Sequence, residues 1–226
     1  MCCNEKNKMK FVIFSFARCG STNLMHLLNS QGANFNFEPY SPIFQKEYYK
    51  IAQTNFVGSL NLLENKFDGF KHLSFHLNKE QNIEILKRFK VIYLYRKDLI
   101  KSAISLALAR TTKVYKKTAV NPDYYEKKYE LNQDIVIEIA KQARMHLSYI
   151  GLLKDSHIIS YEDLFENPET KEIYARKILK YCGLSVIDES KFSYFLDGYH
   201  KLNYQLEDRI KNYHELMDYV VDKIYK

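Results

Sequence analysis

Two periods of apolar residues take turns along the chain. A continuous apolar run at 10–16 reads as a buried strand, the pattern of a central parallel strand covered on both faces. Period-3.6 spacing follows over 22–31, where Leu24, Leu27 and Leu28 share one helix face and Gly32 stands just beyond the end. A short alternating strand at 33–37 runs into a loop at 38–42 marked by Pro39 and Pro42. Short helices are predicted over 44–52 and 60–65, a strand over 70–76, and a helix over 79–89. The apolar run at 91–95 predicts another strand, leading directly into a helix over 98–109. A polar connection at 111–130 precedes a long helix at 133–153, a strand at 157–161, and helices at 161–165, 170–182 and 205–224.

Strands that alternate with helices predict a central parallel sheet flanked by helices, with right-handed crossovers. The fold class is therefore α/β, three-layered and P-loop-like, since the first strand passes through a tight turn into a helix. In such sheets the ligand crevice lies at the carboxyl ends of the strands. Arg18, Glu38, Lys71 and Arg96 all fall at or near a predicted strand's carboxyl end. Residues 1–9 read as a polar, disordered leader, and 10–226 as a single domain.

Composition narrows the picture only slightly. Hydrophobic residues make up 46% and charged residues 27%, as in ordinary globular domains. No apolar run approaches the ~18 residues of a membrane span, and nothing resembles a secretory signal. Cys2, Cys3, Cys19 and Cys182 lack metal-ligand or disulfide spacing, which suits a reducing cytoplasm and implies no metal. The net charge of +7 favours an anionic ligand, yet 27 lysines stand against 7 arginines in a chain also rich in Asn and Tyr. The placement of the few arginines is therefore more informative than the total, and no motif supports nucleic-acid binding.

The turn Ala17-Arg18-Cys19-Gly20-Ser21-Thr22-Asn23 brings backbone N–H groups, hydroxyls and a guanidinium to a helix N-terminus. Such a turn seats a phosphate or sulfate. It is not a Walker A loop, because Ser21 stands at the lysine position and Ser15 at the first glycine. A Cys-x5-Arg phosphatase loop is excluded too, since Met25 occupies the arginine position. A second arginine, Arg96, leaves a strand ahead of a helix that carries Ser105 nine residues later, a pair able to grip one phosphate from two sides.

Together these segments resemble the sulfotransferases that use 3′-phosphoadenosine-5′-phosphosulfate (PAPS). FARCGST at 16–22 resembles their 5′-phosphosulfate loop, YRKDLIKSAIS at 95–105 their 3′-phosphate motif, and ISYEDLFENPE at 159–169 their adenine-side motif. FDGFKHLSFHL at 67–77 is similar to the family's lysine-bearing strand. The Arg-Lys-Asp start and the nine-residue step to Ser105 look most like bacterial carbohydrate sulfotransferases of the trehalose type. Three departures stand out. Cys19 replaces a hydroxyl residue and Ala17 a proline, and the C-terminal Arg-Lys-Gly contact has no counterpart beyond Lys201 or Arg209.

The resemblance implies a site. Arg18, Cys19, Gly20, Ser21, Thr22 and Asn23 hold the 5′-phosphosulfate, Arg96 and Ser105 the 3′-phosphate, and Tyr161 approaches the adenine. Arg18 and Lys71 neutralise the leaving oxygen, and Glu38 takes the acceptor proton, with His76 as the other candidate base. His72 is expected on the opposite face of its strand from Lys71, and Glu162-Asp163 as helix caps. The acceptor is a carbohydrate or glycolipid, lipopolysaccharide or capsular sugar among them, and the product adenosine 3′,5′-bisphosphate. No integral membrane association is implied. Tyr124, Tyr125 and Tyr129, interleaved with Lys127 and Lys128, suit a sugar-stacking patch, a lid or a homodimer contact. Two other classes stay open, a P-loop nucleotide kinase or NTPase and a non-catalytic nucleotide-binding module.

Overall fold

The computed structural model describes residues 10–115, 127–197 and 205–225. The expected leader at 1–9, with Cys2 and Cys3, and Tyr124, Tyr125 and Lys201 lie outside them. β1 (Phe11–Ser15) is wholly buried, as its unbroken apolar sequence requires. It is the middle strand of five, in the order β2-β3-β1-β4-β5. β2 is Phe35–Phe37, β3 Gly69–Leu73, β4 Lys90–Tyr95 and β5 His157–Ser160, and every pairing is parallel. The chain builds β3 on one side of β1 and then crosses to place β4 on the other. That crossover opens a crevice at the carboxyl end of β1.

Alternation along the strands divides the interior in two. Phe11 and Ile13 of β1, with Ile92 and Leu94 of β4, face a large core. α1 (Ser21–Ser30), α5 (Leu99–Thr112), α6 (Gln133–Ser148), α7 (Pro168–Tyr181), α8 (Glu189–Leu196) and α10 (Tyr213–Tyr225) all pack into it. Val12, Phe14, Phe70 and Tyr93 face a smaller core covered by α3 (Phe56–Lys66) and α4 (Lys79–Arg88). α2 (Lys46–Thr54) precedes α3, and Asn55 caps α3 by accepting from the Gly58 N–H.

Three sequence expectations change. The strand at 70–76 ends at Leu73, and Ser74–His76 form a 3₁₀ turn. α8 was not anticipated. Asp188 caps it, accepting from the Lys191 N–H at 3.0 Å, and Phe192 and Phe195 are buried. The helix expected at 205–224 divides into α9 (Leu206–Arg209) and α10. Between them Ile210 forms a parallel bridge with Tyr129, and the Asn212 amide brackets both backbone groups of Leu131. Hydrogen bonds that a continuous helix would keep internal go instead to the segment ahead of α6.

The smaller core holds two histidines. His72 lies opposite Lys71, as strand alternation requires, with Nε2 2.8 Å from Asn82 Oδ1. His146 packs against both Tyr93 (4.6 Å between centroids) and Phe14 (5.5 Å), which also contact each other. Burial lowers His72 to about 4 and His146 to about 3. Both stay neutral in the fold at pH values where the unfolded chain, titrating near 6.5, takes up protons. Stability should therefore be independent of these groups above pH 6.5 and fall as the pH drops from there towards 4. Each histidine adds up to a tenfold rise in the unfolding constant per pH unit. Urea titrations between pH 7.5 and 4.5 check this, and His146→Phe should flatten the dependence by about one proton.

Candidate active site

The first turn is built from backbone geometry more than from hydroxyls. Arg18 (φ 63°) and Gly20 (φ 76°) are both left-handed, so the chain reverses sharply between β1 and α1. Gly20 is the residue preceding α1, whose N-terminus has no side-chain cap and no acidic residue in its first turn. Its leading N–H groups and the positive end of the helix dipole are thus available to an anion. A β-carbon on Gly20 would lie 2.3 Å from the Phe165 ring, so the glycine is needed for close approach as well as for φ.

Cys19 is the exception among the expected loop donors. Its side chain is buried, Sγ lies 3.6 Å from the Ala17 carbonyl, and desolvation pushes the thiol up to about 12. The side chain is a neutral part of the turn's interior, which leaves only the Cys19 backbone to serve a ligand. Ser21 is buried at the start of α1, while Thr22 and Asn23 are partly exposed.

α5 is fastened to this turn by two serines one helical turn apart. Ser102 donates to the Ala17 carbonyl at 3.3 Å, and the Arg18 Nε donates to Ser105 Oγ at 3.1 Å. Arg18 Nη1 also donates to the Tyr115 carbonyl at 3.1 Å. Ser105 therefore rests on Arg18. Ser102 was missed, though its i, i+3 relation to Ser105 was the available signal.

Arg96 leaves β4 and turns towards the segment after β5. Its guanidinium carbon lies 4.5 Å from the Tyr161 ring centroid, and Nε is 3.7 Å from Glu162 Oε1. Glu166 is 4.0 Å from Nη2. Arg96 Nε is buried and makes no hydrogen bond among the described residues. Tyr161 starts a π-helical turn, Glu162–Glu166, which stacks Phe165 on Tyr161 at 5.2 Å and brings Phe165 against Gly20. The spacing of Tyr161 and Phe165 was a readable signal for this second missed residue. Glu162 accepts from the Lys97 and Asp98 N–H groups at 3.0 and 3.4 Å ahead of α5, and Asp163 binds Lys97 Nζ at 2.8 Å. Both carboxylates tie the segment after β5 to the residues just ahead of α5. The helix's own cap is Asp98, accepting from the Lys101 N–H at 2.9 Å, so neither is the helix cap that was expected.

Glu38, Lys71 and His76 meet. Lys71, in the middle of β3, is only 3% exposed and forms an ion pair with Glu38 Oε1, its Nζ also lying 4.6 Å from the Phe37 ring centroid. The 3₁₀ turn after β3 swings His76 back until Nε2 is 3.9 Å from Glu38 Oε2. Desolvation lowers His76 to about 3, so its ring is neutral near pH 7, and its buried Nδ1 has no hydrogen-bond partner among the described residues. Glu38 itself has φ 44°, strained for a residue other than glycine. Phe16 packs on Phe75 (5.4 Å) and Phe75 on His76 (4.8 Å), which ties this cluster to the end of β1.

With this geometry in place, a family profile described as the sulfotransferase domain matches residues 8–216, nearly the whole chain. The chain belongs to the sulfotransferase domain family. No curated protein matches it. Among solved structures it is similar to mouse sulfotransferase SULT7A1 complexed with PAP, at 14% identity and a TM-score of 0.48. That alignment covers 84% of this chain and 64% of the mouse chain, so this sulfotransferase domain spans under two thirds of that structure's length. Arg209, one candidate for the absent C-terminal contact, is buried with its guanidinium 5.6 Å from the Tyr129 ring.

Two stability predictions follow from the sulfotransferase-domain site. Gly20→Ala should destabilise by about 1–3 kcal/mol through positive φ and the Phe165 clash, and Phe165→Leu should return part of it, both read by urea denaturation. Glu38→Ala leaves Lys71 buried without its counter-charge and should cost about 3–5 kcal/mol, against a smaller loss for Glu38→Gln.

Proposed function

We propose that the protein transfers a sulfuryl group from PAPS to a hydroxyl of a carbohydrate or glycoconjugate. The observation that carries this reading is a pair of unlike polar groups joined by one chain of aromatic contacts. On one side lie an uncapped helix N-terminus and Arg18. On the other, tied to it through Phe16 and Phe75, lies the buried Glu38–Lys71–His76 cluster. Anion-binding N–H groups suit the phosphosulfate end of the donor. Arg96, with an unbonded Nε beside the Tyr161 ring, is a separate cationic site suited to its 3′-phosphate and adenosine. The carbohydrate acceptor rests on the likeness of the Arg-Lys-Asp segment to the trehalose-type enzymes.

In the proposed reaction the acceptor oxygen attacks sulfur in line, and the bond from sulfur to the bridging phosphate oxygen breaks. The hydroxyl proton goes to Glu38, whose Oε1 is held by Lys71 while Oε2 faces His76. His76, neutral near pH 7, is the second base within the same cluster. Arg18 and Lys71 offset the charge that collects on the departing oxygen of adenosine 3′,5′-bisphosphate. The turn's left-handed backbone and the Ser105 contact orient Arg18 before substrate arrives, which is where a positioning enzyme gains rate.

Thermal-shift titration with adenosine 3′,5′-bisphosphate should raise Tm at concentrations where ATP does not, and a preference for ATP would favour a kinase or NTPase instead. Arg18→Ala and Arg96→Ala should each weaken that binding at least tenfold. Glu38→Gln should retain it while turnover, followed by transfer of labelled sulfate from PAPS, falls ~10²–10⁴-fold. Retained turnover would remove Glu38 as the base and leave His76.

A further inference from the structure

The loop that carries Glu38 also displays two consecutive apolar side chains in water. Ile43 is 73% exposed and Phe44 57% exposed. Isolated exposed apolar residues need no explanation, but these two sit on a loop anchored in the interior. Tyr40 is fully buried in the smaller core, with its hydroxyl 3.2 Å from Ser59 Oγ. Ser41 is buried too. Its N–H donates to the Glu38 carbonyl at 3.0 Å, and its hydroxyl accepts from the Ile43 and Phe44 N–H groups, each at 3.3 Å. The Gln45 N–H closes the loop on the Ser41 carbonyl at 3.1 Å. Anchors on both sides of Pro42 therefore hold Ile43 and Phe44 outward in a fixed position.

That position is continuous with the reacting groups. Phe44 packs edge-on to Phe37 at 5.5 Å, and Phe37 also lies 4.6 Å from Lys71 Nζ, itself paired with Glu38. An acceptor whose hydroxyl reaches Glu38 Oε2 would lay its next atoms along Phe37 towards Phe44 and Ile43. A bare, fully hydroxylated sugar gains little there, because its hydroxyls would give up water for two hydrocarbon surfaces.

We infer that Ile43 and Phe44 form an acceptor subsite for an apolar aglycone, so that the acceptor is an amphiphilic glycoconjugate rather than a free saccharide. This rests on the sulfuryl-transfer reading and names the substrate class for that same site. The lip lies five and six residues past Glu38 on the same loop. It sets specificity by shielding a chain next to the sugar while the base acts on the hydroxyl.

The test is binding of methyl, hexyl and octyl β-D-glucopyranoside, below micelle formation, to protein saturated with adenosine 3′,5′-bisphosphate, measured by calorimetry. Affinity should rise with chain length, up to about fourfold per fully buried methylene, so that octyl glucoside binds at least tenfold more tightly than methyl glucoside. The Ile43→Ser/Phe44→Ser double variant should bring the ratio below twofold, with bisphosphate binding reporting that the variant is folded. Equal affinity for the three glucosides, undetectable octyl glucoside binding, or a ratio that survives in the double variant would each overturn the subsite. A lip that mates with a second copy of the chain would give a flat series and a dimer in sedimentation that the double variant dissociates, which also overturns it. Failure to bind the bisphosphate at all would instead sink the donor assignment, and the same series run without it would still decide the subsite.

Discussion

A lysine in the middle of a buried strand needs a counter-charge, and much of the candidate site follows from meeting that need. Lys71 is flanked in the sheet by Ile13 of β1 and Phe37 of β2, so neither strand neighbour can neutralise it. The nearest chain able to do so is the residue after β2, and that residue is Glu38. Holding the pair together calls for a left-handed turn at Glu38, anchored by Tyr40 and Ser41. A buried pair of this kind adds little net stability over apolar packing, yet breaking it is costly. It acts as a positional lock, fixing a carboxylate beside the carboxyl ends of β1 and β3.

The turn at Arg18 is held by a different means. β1 ends at a turn whose shape comes from two left-handed residues, and the turn is pinned from outside by Ser102 and Ser105 on α5 and by the Phe165 ring. The Cys19 thiol faces inward, so the replacement of a hydroxyl residue at this position removes a side-chain donor without opening the turn. What remains for an anion is the helix N-terminus and Arg18. Arg96 lies on the face of Tyr161 and near two glutamates.

Much of the fold was legible because it depends on local patterns. The apolar runs at β1 and β4 and the helical periods after them could form little other than a parallel α/β sheet, and strand alternation alone put His72 opposite Lys71. Element ends were less legible. The 3₁₀ turn after Leu73 and the break at Ile210 depend on partners outside the element, the Asn82 amide on the Ser74 and Leu77 carbonyls in one case and Tyr129 with Leu131 in the other. α8 carried a readable Asp188 cap, but in a segment of 8 residues its two buried side chains, Phe192 and Phe195, do not stand out before α1 is there to pack against.

By itself, then, the sequence determined the sheet, its polarity, and the placement of Arg18, Glu38 and Arg96 past the carboxyl ends of β1, β2 and β4, since period and turn chemistry are local properties. Lys71, expected there too, stands in mid-strand. The tertiary structure decided which groups pair. It set Ser105 on Arg18, drew His76 to Glu38, and pressed Phe165 against Gly20. Side-chain pairing across tens of residues depends on how helices dock on the two sheet faces. Strand and helix periods say which face a residue takes, but not which neighbour it meets there.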